Sequence, residues 1–299
     1  MSRIRVAVAG YGNIGRRALE AVRAAGDMEC AGVIRRNPDS GDFPELEGLP
    51  VVSDVRELGP VDVVILAAPS RKVEENAVKY LSMGISVVDS FDIHADIPAV
   101  RRRLDKAARD GGAVSVMSAG WDPGSDSVVR ALMQAIAPSG VTYTNFGPGR
   151  SMGHTVAVKA IDGVKDALSM TIPAGKGIHD REVYIELKPG YDFEKVAAAI
   201  KSDPYFVHDK TSVTLVPSVE AINTTAHGVN LVREGMCGVK GGQNFEFDMK
   251  IDNPALTGQV LVAAARAATR QRPGCYTMIE IPVIDLLEGD REELITRLV

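Results

Sequence analysis

The sequence predicts an α/β protein in which a doubly wound parallel sheet is followed by a second, α+β domain built on a mixed sheet. Three observations predict it. The chain opens on a strand, a glycine-rich turn and a helix; strands and helices then alternate to about residue 120; beyond Gly120, longer runs alternate apolar with polar residues.

Val6-Ala7-Val8-Ala9 has too little polarity to alternate, as suits a strand buried on both faces. Gly10-Tyr11-Gly12-Asn13-Ile14-Gly15 follows, and then a helix with an apolar face of Ala18, Leu19, Ala21 and Val22. In this spacing the first glycine makes the tight turn, the second leaves backbone bare for a pyrophosphate, and the third packs helix on strand. The helix start adds unbonded amides and a positive dipole end. These features define a Rossmann-type dinucleotide site. Gly32-Val33-Ile34 is read as the next strand, at whose carboxyl end a carboxylate would hold the ribose hydroxyls of NAD. Arg35-Arg36 stand there instead, and paired guanidinium groups suit a 2′-phosphate, so the cofactor is read as NADP.

Val51-Val52 reads as a short strand and Val61 to Ala67 as a longer one, whose end Ala68-Pro69-Ser70 borders a helix from Arg71 to Met83 with Ser70 as its expected cap. Ile85 to Val88 begins another buried strand, a helix ends near Asp110, and Val114-Ser115-Val116 supplies one more strand. Beyond Gly120, Ser127 to Ile136 is helical. Lys165 to Ile172, Glu182 to Leu187, Val213 to Val216, His227 to Arg233 and Asn244 to Ile251 then read as strands with one wet face. Pro254 to Arg270 is a long Ala-rich helix. The expected division is 1–120, completed by 271–299, for dinucleotide binding, and 121–270 for the substrate.

At 299 residues, 45% hydrophobic and 24% charged, the composition is that of an α/β enzyme. A formal charge of -5 leaves no basic field for nucleic acid or an anionic membrane, and Arg101-Arg102-Arg103 reads as a solvated helix face. Cys30, Cys237 and Cys275 lack CxxC spacing, and the histidines form no HExxH, so neither a disulfide frame nor a metal is expected. No apolar run approaches a membrane span, and Met1-Ser2-Arg3 leads directly into a strand, so a cytoplasmic protein is expected.

Ligands of open α/β sheets bind at the carboxyl ends of the strands. That rule selects Ala68-Pro69-Ser70, Ser90-Phe91-Asp92 and Ser118-Ala119-Gly120-Trp121-Asp122-Pro123-Gly124. Asp92 and Asp122 are thus expected at the nicotinamide end beside Trp121, where carboxylates can hold an ammonium group and one can take a proton as an amine loses hydride. Each also has a plainer role: Asp122-Pro123-Gly124 is a good turn, Asp92 a possible cap, Trp121 a seal. In the second domain Asn253, Arg181, His227 and Thr171 offer donors for an anion, against plainer roles as cap, surface charge, structural histidine and strand residue. The residues alone thus point to an NADP-dependent dehydrogenase acting on an amino acid. Another two-domain amino acid or aldehyde dehydrogenase and a non-catalytic NADP-sensing regulator remain as alternatives.

The glycine loop with Arg35-Arg36, the stretch Ala119 to Gly124, and Phe146-Gly147-Pro148-Gly149-Arg150-Ser151-Met152-Gly153-His154 together resemble the meso-diaminopimelate D-dehydrogenase family over essentially the whole chain. The resemblance implies NADP-dependent oxidative deamination at the D centre of meso-2,6-diaminopimelate, giving L-2-amino-6-oxopimelate and ammonia; the reverse amination serves lysine and cell-wall precursors. It implies that Asp92, Asp122, Trp121 and the Met152-Gly153 backbone meet the reacting end, and that Thr171, Arg181, His227 and Asn253 grip the distal L-amino acid end. It further implies a homodimer built through the second domain. Phe146 stands where some members have a second tryptophan, and the chain resembles the family's shorter form, with which wider use of 2-keto acids is associated.

Overall fold

The computed structural model describes residues 3–39, 41, 43–222 and 226–299. In chain order the elements are strand β1 (Ile4–Ala9), helix α1 (Asn13–Ala24), β2 (Met28–Ile34), β3 (Val51–Val52), β4 (Val63–Leu66), α2 (Ser70–Leu81), β5 (Ser86–Asp89), α3 (Ile97–Gly111), β6 (Val114–Val116) and α4 (Ser125–Ile136). There follow β7 (Ser139–Phe146), β8 (Gly149–Arg150), α5 (Met152–Lys159), β9 (Val164–Gly175), β10 (Ile178–Leu187), α6 (Phe193–Ser202), β11 (Lys210–Leu215), β12 (Ala226–Met236), β13 (Gly242–Asp252), α7 (Asn253–Ala268), β14 (Gly274–Tyr276) and α8 (Arg291–Leu298).

The chain forms two compact units, Met1–Ala131 with Pro254–Val299, and Leu132–Asn253. The expected cuts at 120 and 270 fall elsewhere, because residues 121–131 and 254–270 pack into the first unit. Helix α7 is the reason. Leu261, Val262, Ala264, Ala265, Ala267 and Ala268 are all buried, and they join the cluster that contains Val6, Ile65 and Val116 of the sheet.

In the first unit seven parallel strands run in the order β14-β6-β5-β4-β1-β2-β3. Successive side chains of a strand point to opposite faces. Val63 and Ile65 of β4 accordingly meet Ala18 and Val22 of α1 and the buried residues of α7, whereas Val64 and Leu66 meet Val73, Ala77 and Leu81 of α2 and Val100, Leu104 and Ala108 of α3. Two covered faces explain why these strands read as unbroken apolar runs. The strand order reverses between β1 and β4, which fixes the crevice for a ligand. An ion pair from buried Arg266 locks α7 in place: Arg266 donates to Asp27 from Nε at 2.5 Å and from Nη2 at 2.8 Å, and to the Leu286 carbonyl from Nη1 at 3.0 Å. These charged donors hold the Asp27 carboxyl below its ordinary range, against its partial burial.

The second unit carries two sheets. One is mixed, in the order β11-β10-β9-β8, with β10 parallel to β11 and antiparallel to β9; the other is antiparallel, in the order β13-β12-β7. Val158 of α5, Val164 and Ala167 of β9, Val183 and Ile185 of β10, and Val196 and Ile200 of α6 form its core with Phe206. On β13, Phe245, Phe247 and Met249 are half-buried and alternate with exposed Glu246 and Asp248, the wet-faced pattern read from the sequence. Arg233 is buried and donates to the carbonyls of Ala137 and Pro138 just past α4 and to Thr142 Oγ1, so its charge is fully engaged.

Candidate active site

A cleft of about 740 Å³ opens at the carboxyl ends of β1, β2 and β4. Gly10, Tyr11, Arg35, Arg36, Ala68 and Pro69 line it, joined by Asn37, Ser53, Lys72, Asn76 and Lys79. Gly10 has φ 97°, which disfavours L side chains, and a Cβ there would lie 2.3 Å from the Ala67 carbonyl oxygen. At Gly15 a Cβ would lie 2.1 Å from the Gly10 oxygen, whereas at Gly12 it would meet nothing within 4 Å. Gly12 therefore leaves open the space into which a phosphate must come, and Asn13, Ile14 and Gly15 form the first turn of α1, whose amides lack partners within the helix. With the cations at the end of β2, these residues fit a phosphorylated dinucleotide.

Arg35 is held by an aromatic side chain. Its guanidinium carbon sits 4.6 Å from the centroid of Phe43, and that of Arg16 sits 4.8 Å from the same ring. Tyr11 meets Phe43 edge-on with centroids 5.4 Å apart and donates its hydroxyl to Glu45 Oε1 at 3.2 Å. Burial and this carboxylate push Tyr11 up to about 12.

The two carboxylate loops of the first unit hang on Asp89, the last residue of β5. Its buried Oδ1 accepts the amides of Phe91 at 2.9 Å and Ser118 at 3.2 Å, and its carbonyl accepts the amide of Ala119 at 2.7 Å. Burial pushes its carboxyl up to about 6, against the pull of those amides. Asp92 is exposed and accepts the Ser70 hydroxyl at 2.6 Å. This bond corrects the capping expected of Ser70: Pro69 occupies the position before α2, and the Ser70 hydroxyl serves Asp92 instead. Asp122 lies 3.2 Å from Arg130 Nη1, and Arg130 Nη2 lies 2.7 Å from Asp126. Trp121 is 8% exposed.

In the second unit Thr171 and Arg181 are directly opposed on β9 and β10, and Arg181 donates to the Thr171 hydroxyl and, at 2.6 Å, to Asp209. Arg181 lies within β10, with its side chain 12% exposed, so it is an inward-facing charge and not the surface charge at a strand mouth that the sequence also allowed. Phe146 stacks near two histidines, with ring centroids 5.6 Å from His179 and 6.5 Å from His227, and its amide donates to His179 Nε2 at 2.8 Å. Burial and then Arg181 hold His179 below its ordinary value, in keeping with a neutral acceptor. His227 Nδ1 lies 3.1 Å from the Arg150 carbonyl. Asn253 begins α7, and Met152 and Gly153 begin α5, where the Met152 side chain lies outside the described part.

The sequence did not single out Asp89, Asp126, Arg130, His179 or Asp209. Asp126 and Arg130 had a signal, their spacing of four and eight residues from Asp122; Asp209 comes to Arg181 only through the β10–β11 pairing. Among the described residues no three His, Cys, Asp or Glu side chains gather as a metal site, and no helix is long and apolar enough to cross a membrane.

Residues 4–117 match the oxidoreductase family with an NAD-binding Rossmann fold, and residues 120–179 match the diaminopimelic acid dehydrogenase C-terminal domain. The chain is 63% identical to a meso-diaminopimelate D-dehydrogenase of Bacteroides fragilis over 299 residues, covering 100% of both chains. It is 36% identical to the enzyme of that name from Lysinibacillus sphaericus, covering 94% of this chain and 95% of the relative. Among solved structures it resembles the diaminopimelate dehydrogenase of C. glutamicum in complex with diaminopimelate, with TM-score 0.87 at 30% identity and 100% of both chains covered. It also resembles an engineered D-amino acid dehydrogenase bound to NADP+, with TM-score 0.80 at 28% identity and 100% of both chains covered.

Proposed function

The chain belongs to the meso-diaminopimelate D-dehydrogenase family, and from that premise we propose that it oxidatively deaminates the D centre of meso-2,6-diaminopimelate with NADP, and runs the reductive amination in reverse. The products are L-2-amino-6-oxopimelate and ammonia. The observation that carries this reading is that the chain bears two separate sets of polar and charged groups, as a molecule with two zwitterionic ends demands: Asp92 and Asp122 on loops of the first unit, and Arg181 with its Thr171 partner in the second.

NADP, when bound, supplies the hydride acceptor. Arg35 and Arg36 are the groups for its 2′-phosphate, Gly10 to Gly15 for its pyrophosphate, and Ala68, Pro69 and Ser70 border its path. Asp92 and Asp122 hold the ammonium of the D centre; one carboxylate takes a proton from it, which frees the nitrogen pair to expel hydride from Cα. Water then adds to the carbon–nitrogen double bond and ammonia leaves. Trp121, Phe146 and the Met152-Gly153 backbone bound the reacting end. Arg181, Thr171, His227 and Asn253 grip the distal amino acid end, and this remote binding positions the D Cα for reaction.

The protein is further proposed to act in the cytoplasm as a homodimer built through the second unit, where Val141 of β7 and Met236 of β12 lie exposed. The test of the activity is NADPH consumption with 2-amino-6-oxopimelate. Turnover must require ammonium; equal turnover without it excludes the mechanism.

A further inference from the structure

Asp126 is a buried carboxylate near the site that the proposed deamination leaves without a task. It stands in the first turn of α4, four residues after Asp122, with its amide bonded to the Trp121 carbonyl at 3.1 Å. Its side chain is wholly buried. Arg130, one helical turn further on, lies 2.7 Å from Asp126 Oδ2 through Nη2 and 3.2 Å from Asp122 Oδ1 through Nη1. The guanidinium is the link between the two carboxyls, and the charge of Asp122 bears on Asp126. One guanidinium thus serves two carboxyls, only one of which is wholly buried.

We propose that Asp126 is a positioning partner of Asp122: it holds Arg130, and Arg130 in turn fixes the Asp122 side chain for its proton transfer. The proposal rests on the role given to Asp122 in the deamination.

Two carboxylates and one guanidinium leave an excess negative charge in a place that water reaches poorly, and a proton relieves it. Asp126 is pushed up to about 7, first by burial and then by the charge of Asp122, while Arg130 pulls the other way; these are the charged groups that bear on it most. In the deamination direction the N–H bond of the substrate ammonium breaks, the electron pair stays on nitrogen, and the proton passes to the Asp122 carboxylate. In the amination direction the same proton travels back to nitrogen. A lone exposed carboxylate needs no such partner.

The test is the pH profile of kcat/KM for meso-diaminopimelate with the full-length Asp126→Asn protein, set beside the unmutated enzyme. Arg130 keeps Asp122 as a partner in this variant, so it is expected to fold and to bind NADP with a KM within about twofold of the parent. The acid limb is expected to move down by at least about one pH unit, and the plateau of kcat to fall about tenfold or more as the base weakens. A uniform loss with an unmoved limb, or no loss, overturns the proposal. Difference infrared titration of the unmutated protein must also show a buried carboxylic acid appearing as the pH falls through about 7, ahead of and distinct from the one that Asp89 contributes near 6. Absence of that acid overturns the proposal even if Asp126→Asn fails to fold. An unmutated enzyme inactive on meso-diaminopimelate sinks the function proposed above, whereas an unmoved limb in an active enzyme sinks only this inference.

Discussion

Arg181 and Thr171 face one another across the antiparallel pair β9–β10, and the guanidinium that donates to the Thr171 hydroxyl also donates to Asp209 at 2.6 Å on the adjoining segment. A half-buried Arg with one carboxylate partner and one neutral partner keeps donor capacity for a second anion, as the distal carboxylate of a diamino diacid requires. Replacing Arg181 by Ala removes a charge-assisted bond worth about 1.5–3 kcal/mol. The KM for meso-diaminopimelate is therefore expected to rise about 10- to 150-fold, and that for a monocarboxylic D-amino acid by less than about threefold. Steady-state kinetics on both substrates decide it. Equal losses would return Arg181 to a purely structural role.

Arg35 and Arg36 predict cofactor choice. Arg35→Ala with Arg36→Ala is expected to raise the KM for NADP by about 100-fold or more and that for NAD by less than about threefold, because only NADP carries the 2′-phosphate. Phe43→Ala, which removes the ring beneath the Arg35 guanidinium, is expected to weaken NADP by about two- to tenfold. Parallel losses for the two cofactors would mean that the arginines act on the fold.

The glycine loop separates space for the chain from space for the ligand. Gly12→Ala meets no protein atom, so its melting temperature is expected within about 2 °C of the parent while calorimetric NADP binding is lost. Gly10→Ala drives a Cβ into the Ala67 carbonyl at a φ of 97° and is expected to unfold the first unit or cut its stability sharply. Cofactor binding that survives in the Gly12 variant would move the phosphate elsewhere.

Asp126 makes stability depend on pH. The folded protein binds a proton there at about 7, whereas an Asp in the unfolded chain binds one near 3.8. Between about pH 7 and 4 the folded state alone takes up this proton, so the stability contributed by the group rises as the pH falls and is lost above 7. Asp126→Asn mimics the protonated form. It is expected to melt roughly 2–6 °C above the parent at pH 8 and level with it near pH 5. A variant that melts lower at both values would show the carboxylate to be a net stabiliser.

The first unit was largely legible in the sequence because its signals are local. A buried strand, three spaced glycines and an amphipathic helix lie within the first 24 residues, and burial on both faces made β4, β5 and β6 read as apolar runs. The second unit was legible in its long strands but not in β7, whose exposed start Ser139-Gly140-Val141 carries no clean alternation, nor in the polar-flanked helix α6. Ser70 looked like a cap because the competing partner, Asp92, lies 22 residues away. The same limit hid His179 and Asp209, which reach the site through strand pairing. Helix α7 was seen as a helix but assigned to the wrong unit, since its Ala-rich sequence does not say which core it enters.

The central claim is that hydride leaves the D centre of meso-diaminopimelate for NADP. It is tested most directly with two samples of the substrate, deuterated at the D or at the L α-carbon, followed by mass analysis of the reduced cofactor. Deuterium in the nicotinamide from the D-labelled sample alone, with one ammonia released per cofactor reduced, is the expected result; deuterium from the L-labelled sample, or reduction without ammonia, would contradict the account.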